Sequence, residues 1–156
     1  MSDSHFPPFI IAAAQASQRK YPVVPACVTL AQWAEESGYG QHTSAPHNYF
    51  GIKARDGEPF KLSMTREVYN GKSVWLPQKF RAYANDAEAF TAHAELLADR
   101  EPYAAARAAE VKGGWRAFVV AMAERYATAQ NYATTIIGMI EAHHLDQYDV
   151  KPAAHA

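Results

Sequence analysis

Apolar residues recur with helical spacing along most of the chain, and one central stretch lacks that spacing. After Pro7 and Pro8, which suit the first turn of a helix, FIIAAAQASQRK predicts a helix that runs to Lys20. YPVVP (21–25) reads as a linker. A second helix is predicted from about Pro25 to Ser37, with Cys27, Leu30, Ala31 and Ala34 on one face, and Thr29, Gln32 and Glu36 on a more polar side. Gly38 and Gly40 stop it. From Asn48 to Tyr83 the helical period fades. SMTREVYNGKSVWLPQKFRAY holds two β-leaning runs around Asn70–Gly71, a hairpin signal, and Pro77 places the second run at an edge or a bulge.

Helices then resume. Asn85 and Glu88 have capping-box spacing, and Ala87, Phe90, Ala94, Leu97 and Ala98 form a stripe. A short helix near 103–111 breaks at Gly113–Gly114. Trp115, Phe118, Val119, Met122 and Tyr126 recur at amphipathic spacing, and a last helix is predicted from just after Asn131 to about His143. Helices, a small antiparallel insertion and more helices make an α+β fold, mainly α, whose β lobe can wall off a cleft.

Composition narrows the partners. With 156 residues, half of them apolar, the chain fits one globular domain, placed at 6–148 with tails at 1–5 and 149–156. A net charge of −1 argues against nucleic acid as a partner, and no apolar run reaches the length of a membrane span. A single cysteine rules out an internal disulfide. MSDSHFPPFI has neither the basic nor the apolar region of a signal peptide, so synthesis in the cytoplasm is expected.

Glu35 and Glu36 close the second helix, where the negative end of the helix dipole and partial burial both disfavour a carboxylate. An acid kept protonated there can donate to a leaving-group oxygen, as glycosidases require, and periodicity alone does not choose between the two. Asp56, Glu58 and Glu67 are candidates for a second acid in the β segment. Cys27, near a predicted helix N-terminus, is a rival nucleophile of the peptidase kind, weighed against a plain core role. The seven histidines show no zinc-binding spacing. Tyr39, Tyr49, Tyr126 and Tyr132 fall at loops or helix ends, where a ring can line a sugar site.

LAQWAEESGYGQHTSAPHNYFGIKA (30–54) resembles the catalytic stretch of family 73 glycoside hydrolases, peptidoglycan glucosaminidases whose pattern is A-x-x-E-S-G-W-G followed after a spacer by N-L-F-G-I-K. MTREVYNGKSVWLPQKFRAYAN (64–85) and RYATAQNYATTI (125–136) resemble two further parts of that family, so the likeness spans about 9–145. It departs from the pattern at Tyr39 (for Trp), at Tyr49 (for Leu) and at Ala129-Gln130-Asn131 (for D-P-x). The resemblance implies a lysozyme-like fold, a helical lobe and a small antiparallel β lobe with a glycan groove between. It implies Glu36 as the general acid, Glu67 as the β-lobe acid, and Tyr39, Asn48, Phe50, Tyr126 and Tyr132 as substrate-binding residues.

The activity expected from the resemblance is cleavage of the β-1,4 bond between N-acetylglucosamine and N-acetylmuramic acid, with no cofactor or metal, by a monomer whose partner is the peptidoglycan strand. The alternatives are muramidase cleavage of the other β-1,4 bond, a silent glycan-binding module, and a Cys27 peptidase. Without a signal peptide, the expected route to the wall is a holin, a virion or a secretion system, with a phage endolysin first among them.

Overall fold

A computed structural model describes residues 4–126 and 131–151 of the chain. Prolines set the first two helix starts: α1 (Pro8–Lys20) follows Pro7, and α2 (Ala26–Ser37) follows Pro25, whose fixed φ already suits a helical entry. Strands β1 (Phe60–Tyr69) and β2 (Lys72–Arg81) form an antiparallel hairpin, followed by α3 (Asp86–Asp99), α4 (Ala104–Tyr126) and α5 (Tyr132–Ala142). Short 3-10 turns occupy Glu101–Tyr103 and Leu145–Tyr148. The expected mainly helical α+β fold is present, and Gly114, at φ 75° and ψ −161°, kinks α4 where the glycine pair predicted a break.

α2 is the central helix. It packs against α1, α3, α5 and the Leu145–Tyr148 turn, and every residue from Ala26 to Ala34 is buried. This corrects the polar side drawn from periodicity: Thr29 and Gln32 are both fully buried, their polar atoms bonded within the protein. In α3 the buried stripe is Ala89, Phe90, His93, Ala94 and Leu97, while Ala87 faces outward. Asn85 caps this helix by accepting from the Glu88 N–H at 2.9 Å, as its spacing predicted.

The hairpin closes through Asn70 and Gly71 at φ 51° and 78°, the positive-φ pair of a tight two-residue turn. Its register is continuous from Phe60↔Arg81 to Tyr69↔Lys72, with Pro77 opposite Met64 and no bulge. In a two-stranded sheet each strand is an edge, so a proline without an N–H fits where its nitrogen faces outward. The strands chiefly contact each other. The lobe is tied to the helical body near its open end, where Arg81 N–H donates to Ile52, Ala54 N–H to Lys79, and the Ser63 hydroxyl to the Ser44 carbonyl.

The segments expected to be tails are partly engaged. The His5 ring packs 5.1 Å from that of Tyr39. Asp149 accepts from the Cys27 N–H at 2.7 Å and so caps α2 from a distance of 122 residues. Gln18 accepts from both Ala26 and Val150 N–H. Among the described residues, no helix is long and apolar enough to cross a membrane.

Candidate active site

The last turn of α2 ends on Glu36-Ser37, and the next residues show why. Gly38 adopts the left-handed conformation at φ 56°, and its N–H and that of Tyr39 both reach back to the Ala34 carbonyl. The Ser37 hydroxyl donates to the Trp33 carbonyl and accepts from Gly40 N–H at 2.8 Å. Gly40 has φ 85°, and a Cβ there would lie 2.9 Å from the Trp33 ring. Glu-Ser-Gly-Tyr-Gly is therefore a helix stop that leaves its glutamate at the rim of a groove.

That groove has a volume of about 960 Å³. Glu36, Phe50 and Tyr126 line it, with Ile52, Lys53 and Arg55 on the wall that leads to the hairpin and Glu88, Glu95 and Asp99 on α3. Arg81, also in its lining, pairs with Glu58 and lies 3.6 Å from Glu88.

Glu36 is open to solvent on the groove side, yet protein crowds its other faces, and this desolvation is the main force raising its pKa above the ordinary glutamate value. Tyr132 opposes that rise by donating its hydroxyl to Glu36 Oε1 at 2.9 Å, and Glu35 next to it adds a smaller upward push. Glu35 itself is exposed. The arrangement gives a carboxyl group whose one oxygen is held by a phenol and whose other oxygen is free for a proton, the layout of a general acid.

Tyr132 and Tyr126 stack at 5.7 Å with rings 14° from parallel, so the two tyrosines and Glu36 are brought together. Burial pushes both phenols well above their ordinary pKa, which keeps them neutral donors. Phe50 is buried under the groove wall, stacked on His93 at 4.0 Å. Asn48 is also buried: its amide donates to the Ile52 and Arg81 carbonyls and accepts from Ile52 N–H. It thus fastens the Asn-Tyr-Phe-Gly-Ile-Lys loop to the root of β2, holding the groove wall from behind.

Tyr39 lies elsewhere. At φ 58° its ring turns into a cluster with His5, Phe6, Trp33 and His143, outside the groove lining. Glu67 stands in the inner row of the hairpin with Ser63 and Thr65, accepting from the Thr65 hydroxyl at 3.1 Å, away from the groove lining around Glu36. Tyr49 donates to Asp86 and supports the loop. Ala129 and Gln130, in the segment that departs from the family pattern, lie outside the described residues.

Cys27 is fully buried, and desolvation followed by the Asp149 charge pushes its thiol far above the ordinary range. Its Sγ–H points to Asp149 at 3.3 Å, so it has neither the exposure nor the basic neighbour a thiolate nucleophile needs. Among the described residues, no group of three or more His, Cys, Asp or Glu side chains is placed to hold a metal ion.

Sequence reasoning missed Gln32 and His93, which stand directly behind Tyr132. Gln32 donates to the Tyr132 oxygen at 3.2 Å and receives His93 Nε2 at 2.8 Å. A glutamine one turn before Glu36 was the available signal, but its partners are 100 and 61 residues away in sequence.

The chain is 33% identical over 126 residues to the peptidoglycan hydrolase FlgJ of Salmonella typhimurium, covering 76% of this chain and 39% of that protein. It is 35% identical over 133 residues to an autolysin of Enterococcus faecalis, covering 80% of this chain and 18% of that protein. It spans about two-fifths of the length of the FlgJ proteins it matches. The catalytic domain of the autolysin Auto from Listeria monocytogenes superposes with a TM-score of 0.80 at 26% identity, over 96% of this chain and 90% of that domain. Residues 11–145 match the glucosaminidase family, described as mannosyl-glycoprotein endo-beta-N-acetylglucosaminidase, and the chain belongs to that family.

Proposed function

We propose that this chain hydrolyses the glycan strands of peptidoglycan at the β-1,4 bond between N-acetylglucosamine and N-acetylmuramic acid. The observation that carries the proposal is Glu36: a glutamate at the rim of an open groove, its pKa raised by burial, one oxygen held by Tyr132. Glu36 gives its proton to the glycosidic oxygen as the C1–O bond breaks and positive charge builds on the ring. Water then attacks C1 from the far face and gives its proton to a base there, or the 2-acetamido oxygen attacks first and water, giving its proton to Glu36, opens the resulting ring. Glu67 is the carboxylate that would activate water in the first route. Names of relatives that include peptidoglycan hydrolases and an autolysin support this substrate.

Mass spectrometry of digested cell wall tests the proposal. New reducing ends on N-acetylglucosamine are expected. Reducing N-acetylmuramic acid would make the enzyme a muramidase, released stem peptides would make it a peptidase, and a wall suspension left turbid with no new ends would leave only a binding module.

A further inference from the structure

We propose that His93 and Gln32 are positioning residues for the general acid: together they set the direction of a hydrogen-bond chain that ends on Glu36. The inference rests on the proposed role of Glu36.

The chain of bonds crosses three elements. His93 of α3 meets Gln32 of α2 at 2.8 Å, Gln32 meets Tyr132 of α5 at 3.2 Å, and Tyr132 meets Glu36 at 2.9 Å. An amide oxygen only accepts, so His93 carries its hydrogen on Nε2. The amide nitrogen of Gln32 only donates, so Tyr132 takes that bond on its oxygen and spends its single hydrogen on Glu36. Every donor thus points toward the carboxyl group.

The opposite order is chemically possible. With the amide turned over, Tyr132 would donate to Gln32, Gln32 would donate to an Nε2 without hydrogen, and Glu36 could bond Tyr132 only by giving it a proton. That proton would face the protein interior instead of the groove, and the carboxylate left after catalysis would have no phenol to stabilise it. The histidine tautomer decides between the two orders.

The surroundings of His93 keep it neutral and still. The residue is fully buried, stacked on Phe50, and burial pushes its pKa down to about 3. Its Nδ1 has no hydrogen-bond partner among the described residues, so it offers no acceptor for a hydrogen placed there, while Nε2 faces one. The other titratable groups around Glu36 are Glu35 on its own helix, Tyr126 of α4 and Tyr132 of α5.

Three measurements test this. In the wild-type protein, ¹⁵N NMR of histidine should show a buried neutral ring with hydrogen on Nε2 that does not titrate between about pH 5 and 8. A ring with hydrogen on Nδ1, or one that becomes an imidazolium, would overturn the inference whether or not the protein clears cell wall. Second, His93→Phe keeps the ring and its stacking but frees the glutamine. It should lower kcat roughly tenfold, the size of one hydrogen bond, with KM unchanged, and move the alkaline limb of the kcat–pH profile upward as Glu36 loses its donor. Gln32→Met takes away the competing acceptor, so Tyr132 should keep donating to Glu36 and the alkaline limb should stay at its wild-type position; a limb that moves upward there too would overturn the inference, which keeps the test open if His93→Phe does not fold. Third, either change made in a Tyr132→Phe background should add nothing further. An unmoved alkaline limb in His93→Phe, or the same loss from it with and without Tyr132, would reduce both residues to packing. Wall digestion by the wild-type enzyme tests the proposed function separately.

Discussion

At the scale of single residues, Glu36 determines most of what can be measured. Glu36→Gln keeps shape and removes the transferable proton, so wall clearing should fall by about 10²–10⁴-fold while the circular dichroism spectrum stays native. Stability should respond in the opposite direction. The folded state holds the Glu36 proton more tightly than the unfolded chain does, so unfolding releases a proton and stability drops as pH rises from the ordinary glutamate value to the raised one. Glu36→Gln removes that drop. The variant should melt at or above the wild-type temperature at pH 7, and the difference should vanish toward pH 4. A variant that melts lower at pH 7 would show that Glu36 is not strained by burial. The turn that sets Glu36 at the groove was legible in the sequence because Ser37, Gly38 and Gly40 are adjacent to it. The roles of Gln32 and His93 were not: Gln32 was read onto the polar side of its helix, His93 carried no local signal, and only the fold brings them into line.

At the scale of elements, α2 and the hairpin differ in how they are held. α2 is buried from Ala26 to Ala34, and its first two N–H groups are bonded by Gln18 and Asp149. Asp149→Ala should cost about 1 kcal/mol, read as a lower melting temperature, as loss of a helix cap does. The hairpin depends on its own turn. Gly71→Ala places a side chain at φ 78° and should loosen β1 and β2, seen as faster amide exchange in both strands, while the melting temperature of the helical body barely changes. The two strands were readable from Asn70–Gly71, and the stop of α2 from Gly38 and Gly40. The rotation of α3 was not, because a small residue such as Ala87 serves equally well in a core or on a groove wall.

At the scale of the whole molecule, the helical lobe carries Glu36 and the hairpin carries Glu67, and the two lobes join mainly through the 44–59 loop and the ends of the strands. A lobe tied at its root can lean over a bound strand and bring Glu67 with it. If Glu67 activates water, Glu67→Gln should slow turnover by a large factor with little change in wall binding, and external azide should partly restore it by occupying the vacated space. A small loss with no azide effect would assign the attack to the acetamido group. The two-lobe architecture followed from the order of periodic and aperiodic stretches. The aromatic placement did not: Tyr39, read as a platform for sugar, faces a cluster with His5 and His143, since a left-handed turn residue points its ring where the preceding helix end allows.

The connections at the two ends of α2 also bear on when the site comes into being. Tyr132 lies 96 residues after Glu36, and Asp149 lies 122 residues after Cys27. A ribosome adding about 5–20 residues per second needs roughly 5–20 s to travel from Glu36 to Tyr132. During that interval Glu36 has no phenol beside it and no α5 against its helix. The nascent chain therefore carries an ordinary glutamate, and the acid with its raised pKa and fixed second oxygen exists only once α5 has left the ribosome and docked.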